Sequence, residues 1–175
     1  MPKWYDFART LTLYHGTSSS RLPDIRRHGI RPLDVAALTL QLLKEAGVPP
    51  SMAHRHIFSE HDLFRQSTLS FFTVNFVVAS QYAKMGGEAE YCIRQDIKVF
   101  HKVEIQRGIN EPIVLELELP WSFISFSDDM VEMYNQIVKY SKSKEDQIEW
   151  LDNVGVEFTS ARPVPAKYIV EVHKV

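Results

Sequence analysis

The chain has 175 residues, a formal charge of −2 and 45% apolar residues. That length and composition fit one domain over residues 1–175 with a sizeable core, and they exclude a disordered or low-complexity chain. The charge gives no global pull toward nucleic acid, and a single cysteine, Cys92, excludes an internal disulfide and argues against a Cys-based zinc site.

Met1 to Arg9 has no long apolar core of the signal-peptide kind, and no run is long enough to span a membrane. The expectation is a chain with no membrane partner in a reducing, cytoplasmic setting.

In chain order, the first element is a strand over Leu11 to His15, which ends in His15-Gly16 and the hydroxyl run Thr17 to Ser20. Those hydroxyls are N-cap candidates for a helix carrying Leu22 and Ile25, stopped at His28-Gly29. Asp34 caps a second helix with Val35, Leu38, Leu42 and Leu43 at helical spacing, ended by Gly47-Val48-Pro49-Pro50. A third helical stretch from Ser51 through His61 holds His54, Arg55, His56 and His61. No acidic residue repeats at ligand spacing with these histidines, so a solvated or target-facing loop is expected there and no metal.

Thr68 to Thr73 reads as a strand with adjacent aromatics Phe71 and Phe72, at least one of them core. Asn75 begins a helix carrying Val77, Val78, Ala79, Tyr82 and Ala83, closed by Gly86-Gly87. Glu88 to Asp96 reads as a polar connection, followed by strands over Ile97 to Ile105 and Pro112 to Leu119, with Gly108-Ile109-Asn110 in the turn between them. The second of these alternates apolar with acidic residues, the pattern of a half-buried strand.

Ser127-Asp128-Asp129 caps a helix with Met130, Met133, Tyr134, Ile137 and Val138 inward, broken at Ser141 to Lys144. A shorter helix holds Ile148, Trp150 and Leu151. Asn153-Val154-Gly155 turns into a strand over Val156 to Thr159, Pro163-Val164-Pro165 makes a rigid corner, and Tyr168 to Val172 is the last strand. Strands fall early, middle and late with no regular βαβ repeat, which predicts an α+β domain with largely antiparallel sheets.

Three pieces suit glycosyl transfer from a nicotinamide nucleotide. They are His15-Gly16 at a strand end, the aromatic strand and helix from Phe71 to Tyr82, and Glu157 on a late strand. Nicotinamide needs flat partners and an amide clamp, the ribose needs a hydrogen-bonding group, and the growing positive charge needs a carboxylate.

In those pieces the chain resembles the ADP-ribosyltransferase superfamily, in its diphtheria-toxin and poly(ADP-ribose) polymerase branch of the His-Tyr-Glu type. Leu13-Tyr-His-Gly-Thr-Ser with Gly29-Ile-Arg-Pro32 is similar to the first family motif, and Leu69-Ser-Phe-Phe-Thr with Ala79-Ser-Gln-Tyr-Ala83 to the second. Val156-Glu-Phe-Thr with Pro163-Val-Pro-Ala-Lys-Tyr-Ile169 is similar to the third. The resemblance covers nearly the whole chain in order, and it implies the split, mostly antiparallel sheets of that family with surrounding helices.

It also implies roles. His15 would bond the adenosine-side ribose, Gly16 would clamp the nicotinamide amide through its backbone with Thr17 beside it, and Tyr82 would stack on the ring. Phe71 falls where the triad tyrosine is usual, eleven residues before Tyr82, and keeps a stacking face without the hydroxyl. Ser80, or Ala79 by position, falls at the amide-bonding serine. Glu157 would stabilise the cationic transition state, with His15 as its catalytic companion.

The implied activity is NAD-dependent mono-ADP-ribosylation of a macromolecular acceptor, protein or nucleic acid (RNA or DNA), as in small stand-alone toxins with a cognate inhibitor or antitoxin. Arg21, Arg26, Arg27, His28, Arg31 and Arg55 would either line a groove for a nucleic-acid strand or form a solvated face. Two alternatives stand beside this reading. One is an RNA 2′-phosphotransferase-like enzyme, against which the candidate Glu157 weighs. The other is a catalytically inactive module that binds NAD or ADP-ribose.

Overall fold

A computed structural model of the chain describes residues 10–52, 68–105, 111–140, 143 and 156–175. The described residues form an α+β arrangement built on one antiparallel sheet of six strands. The strands are β1 (Thr10–Ser18), β2 (Ser70–Thr73), β3 (Pro112–Pro120), β4 (Ser125–Phe126), β5 (Glu157–Ser160) and β6 (Ile169–Lys174). Their order across the sheet is β4-β5-β2-β1-β3-β6. The helices are α1 (Leu22–His28), α2 (Val35–Glu45), α3 (Phe76–Met85), α4 (Glu88–His101) and α5 (Asp128–Tyr140). None of them is long and apolar enough to cross a membrane.

The sheet's pairings are unequal. Every residue of β1 is in register with β3, from Thr10↔Pro120 to Ser18↔Pro112. Toward β2, β1 has one register pair, Tyr14↔Thr73. On the far side of that joint, β2 runs along β5 from Ser70↔Ser160 to Thr73↔Glu157.

Alternation along the strands sends Leu11, Leu13, Leu115, Leu117, Leu119, Phe72 and Phe158 to one face. There they form the main core with Ile25 of α1 and Met130 of α5. Phe72 is thus the core member of the aromatic pair. The opposite face of β1 and β3 is covered by α3, through Ala79, Ala83 and Val114 with Tyr14 and Phe76 beside them.

The helix over 76–85 follows its sequence signals. Asn75 accepts from the N–H groups of Val77 and Val78 at 2.9 and 3.3 Å, and Gly86 closes it in the left-handed conformation at φ 91°. Asp34 likewise caps α2, accepting from Ala37 N–H at 2.9 Å.

The stretch 88–105 differs from its expected coil and strand. Residues 88–101 are α4, which packs Ile93 and Ile97 against Val35, Leu42 and Leu43 of α2. Ile97-Lys98-Val99 imitates period-two alternation. The deciding spacing is Ile93 to Ile97, one helical turn, supported by the Arg94–Glu90 pair at 2.8 Å.

Ser127 caps α5, its hydroxyl accepting Met130 N–H at 3.3 Å. The hydroxyls of Thr17 to Ser20 do not cap α1 as expected, because β1 extends through Ser18 and a single 3₁₀ turn, Ser19–Arg21, leads into the helix, whose N-cap Arg21 makes no side-chain cap bond. β4, two residues long, has no counterpart among the expected elements. The expectations for 53–61, for Gly108-Ile109-Asn110 and for the short helix around Trp150 lie outside the described residues.

A candidate active site at the fork between two strands

Past Tyr14, β1 leaves β2, and His15 sits at that fork. Its Nδ1 lies 2.8 Å from the Phe71 carbonyl oxygen, and its ring centroid is 5.5 Å from that of Phe72. A carbonyl only accepts, so Nδ1 carries the proton and donates it. The same bond leaves Nε2 with its lone pair, as an acceptor for a ligand hydroxyl.

Burial holds the imidazole neutral. It lowers the pKa from 6.5 to about 4, against the raising effect of the Phe71 bond and with a further lowering from the nearby Arg21 charge. His15 is therefore a neutral, oriented group at physiological pH.

Gly16 is adjacent, and the backbone that approaches it most closely is protein. A Cβ at this position would lie 2.1 Å from the Ala79 carbonyl oxygen and 2.8 Å from the Ala83 nitrogen. The glycine lets α3 rest directly on β1, and so sets the distance between the helix and the fork. Thr17 follows in register with Ile113 and is buried. Ser18 and Ser20 bond each other through their hydroxyls at 2.8 Å.

Across the fork, Phe71 is half-buried and opposes Thr159. Alternation places its side chain opposite to core Phe72, on the face that carries Thr73 and Glu157. Glu157 begins β5, half-buried, with its backbone carbonyl accepting Ser127 N–H at 3.3 Å. Tyr14, Thr73 and Glu157 make one row over three strands. At the usual strand spacing, the Cα atoms of Tyr14 and Glu157 are about 10 Å apart.

The third side is α3, which carries Ser80 and Tyr82. Ser80 is buried and donates its hydroxyl hydrogen to the Phe76 carbonyl at 2.8 Å, so its oxygen is left as an acceptor. Ala79, at the alternative position, has no hydroxyl and is the residue whose carbonyl faces Gly16. Tyr82 is half-buried.

The basic run near the first motif is partly neutralised within itself. Arg31 reaches both Asp24 carboxylate oxygens at 3.1 and 3.3 Å, and His28 lies 3.8 Å from the same group. Partial desolvation, with the neighbouring Arg31 charge, lowers the Arg21 pKa against the pull of Glu90 and Asp24, although the side chain remains exposed. Arg55, like His54, His56 and His61, lies outside the described residues.

A cluster with no signal in the sequence lies on the far side of β3. His173 Nε2 is 2.8 Å from Glu116 Oε2, and His173 Nδ1 is 3.7 Å from Glu171 Oε1. Among the described residues these three are the group whose ligand atoms come within 4.8 Å of one another. The Phe76 ring meets His173 edge-on at 5.2 Å, so the trio fastens β6 to β3 beneath the start of α3.

No protein-family model, curated protein or solved structure matches this chain.

Proposed function

We propose that the chain is an NAD-dependent mono-ADP-ribosyltransferase. The observation that carries this reading is the neutral His15, held by the Phe71 carbonyl at the point where the sheet narrows to one register pair, with Glu157 two strands away on β5. A sheet that opens beside β1 fits the split-sheet arrangement of the resembled superfamily.

In this reading Nε2 of His15 accepts a hydroxyl of the adenosine-side ribose. The Gly16 backbone holds the nicotinamide amide, with Thr17 beside it, and Ser80 oxygen accepts an amide hydrogen. Phe71 and Tyr82 supply flat faces for the ring. The C1′–N bond to nicotinamide breaks, and its electron pair neutralises the departing pyridinium. Positive charge spreads over C1′ and the ring oxygen, where the Glu157 carboxylate stabilises it. An acceptor nucleophile from a protein or nucleic acid forms the new C1′ bond and releases its proton to solvent or to Glu157. The half-buried environment strengthens this attraction over its value in water.

Incubation of the chain with labelled NAD and separate protein and RNA or DNA fractions tests this. Nicotinamide release coupled to label in one fraction is the expected result. Loss of that label at high salt would assign the basic run around Arg26 and Arg27 to a nucleic-acid acceptor. Phe71, which lacks the triad hydroxyl, favours one second reading, a module that binds NAD without cleaving it. Saturable NAD binding with no nicotinamide released under any condition would select that reading.

A further inference from the structure

Thr73 is the middle of the row that crosses the fork. Its Cα is in register with Tyr14 on one side and with Glu157 on the other. The residue is 6% exposed, and its Oγ1 accepts the Asn75 N–H at 3.1 Å.

A threonine hydroxyl has one hydrogen to donate and two lone pairs. The Asn75 bond occupies a lone pair and leaves the hydrogen to be directed. A buried hydroxyl hydrogen without an acceptor is unfavourable. Opposed residues in an antiparallel ladder hold their Cβ atoms about 5 Å apart on one face. The charged acceptor in register with Thr73 is therefore the Glu157 carboxylate. The Asn75 bond also fixes the rotor, since the occupied lone pair faces the start of α3 and turns the hydrogen away from it.

We propose that Thr73 is a positioning residue for Glu157, its Oγ–H donating to that carboxylate when the Glu157 side chain folds back over Thr73. This rests on the transferase reading above and deepens it. The bond orients the carboxylate toward C1′. Because Asn75 also caps α3, one short chain of bonds ties the helix that carries Tyr82 to the strand that carries Glu157.

Steady-state nicotinamide release by wild type, Thr73→Val and Thr73→Ser tests the proposal, with folded content followed by circular dichroism. Thr73→Val keeps the shape and removes the hydroxyl. Its kcat is expected to fall about tenfold with KM for NAD within about twofold, and Thr73→Ser to recover most of the loss. An unchanged kcat in Thr73→Val, a loss confined to KM, or a Thr73→Ser variant as slow as Thr73→Val would each overturn the role. Should Thr73→Val fail to fold, Thr73→Ala against Thr73→Ser reads the same hydroxyl. A wild-type chain that leaves NAD intact overturns the transferase reading and this role together. An active wild type with an indifferent Thr73→Val overturns the positioning role alone.

Discussion

The two sides of β1 are built for different ends. On the β3 side all nine residues of β1 are in register, and the leucines of both strands interleave in the main core. On the β2 side there is one register pair, and the next contact is a side chain, His15, bonding a backbone carbonyl. The ladder side spends its backbone groups on the sheet. The fork side replaces ladder bonds with a titratable ring. One strand thus serves as both the frame of the core and the edge of the fork, and the frame makes that edge precise.

Substitutions on the two sides should therefore fail differently. Leu13, fully buried on the ladder side, should cost about 4 kcal/mol as Leu13→Ala in chemical denaturation, with NAD turnover per folded molecule preserved. A loss of turnover without a loss of stability there would break the distinction. Gly16→Ala places a methyl group against the Ala79 carbonyl, with backbone on both sides of the clash. It should cost about 3 kcal/mol and also lower NAD affinity, because α3 must back away from the fork.

His15 sharpens the comparison through pH. Its pKa is depressed from 6.5 to about 4 in the folded chain, so the unfolded chain binds the extra proton first as pH falls. Its contribution to stability is complete above about pH 6.5 and is lost as pH drops through about 4, a fall of about 3 kcal/mol. Denaturation series between pH 7 and 4 should show that slope in wild type and a flatter one in His15→Gln. Equal slopes would mean that the ring is not held neutral at the fork. The smallest expected effect is at the helix cap. Asn75→Ala removes the acceptor for two N–H groups of α3 and should cost about 1 kcal/mol.

The frame was more legible in the sequence than the rim. Residues 115–119 alternate apolar with acidic, and residues 75–86 carry a cap, an apolar stripe and a closing glycine, so each announces itself locally. The stretch 97–101 did not, because Ile97-Lys98-Val99 fits either period, and packing against the distant α2 decided the outcome. His15, Gly16 and Glu157 stood out through resemblance and position. What each of them touches did not. The Phe71 carbonyl on His15 and the α3 backbone on Gly16 are contacts between distant segments, with no periodicity of their own. The trio of Glu116, Glu171 and His173 was hidden for the same reason, since only the β3–β6 register brings it together.

The most direct measurement is nicotinamide release from NAD by wild type beside Glu157→Gln, with NAD binding followed by calorimetry in both. Glutamine keeps the size of the side chain and removes the charge that the proposed reaction sets against the growing cation. The expected result is a fall in release of about a hundredfold or more with NAD affinity kept within a few-fold. Release by Glu157→Gln at the wild-type rate would contradict the assignment of the fork as a transferase site.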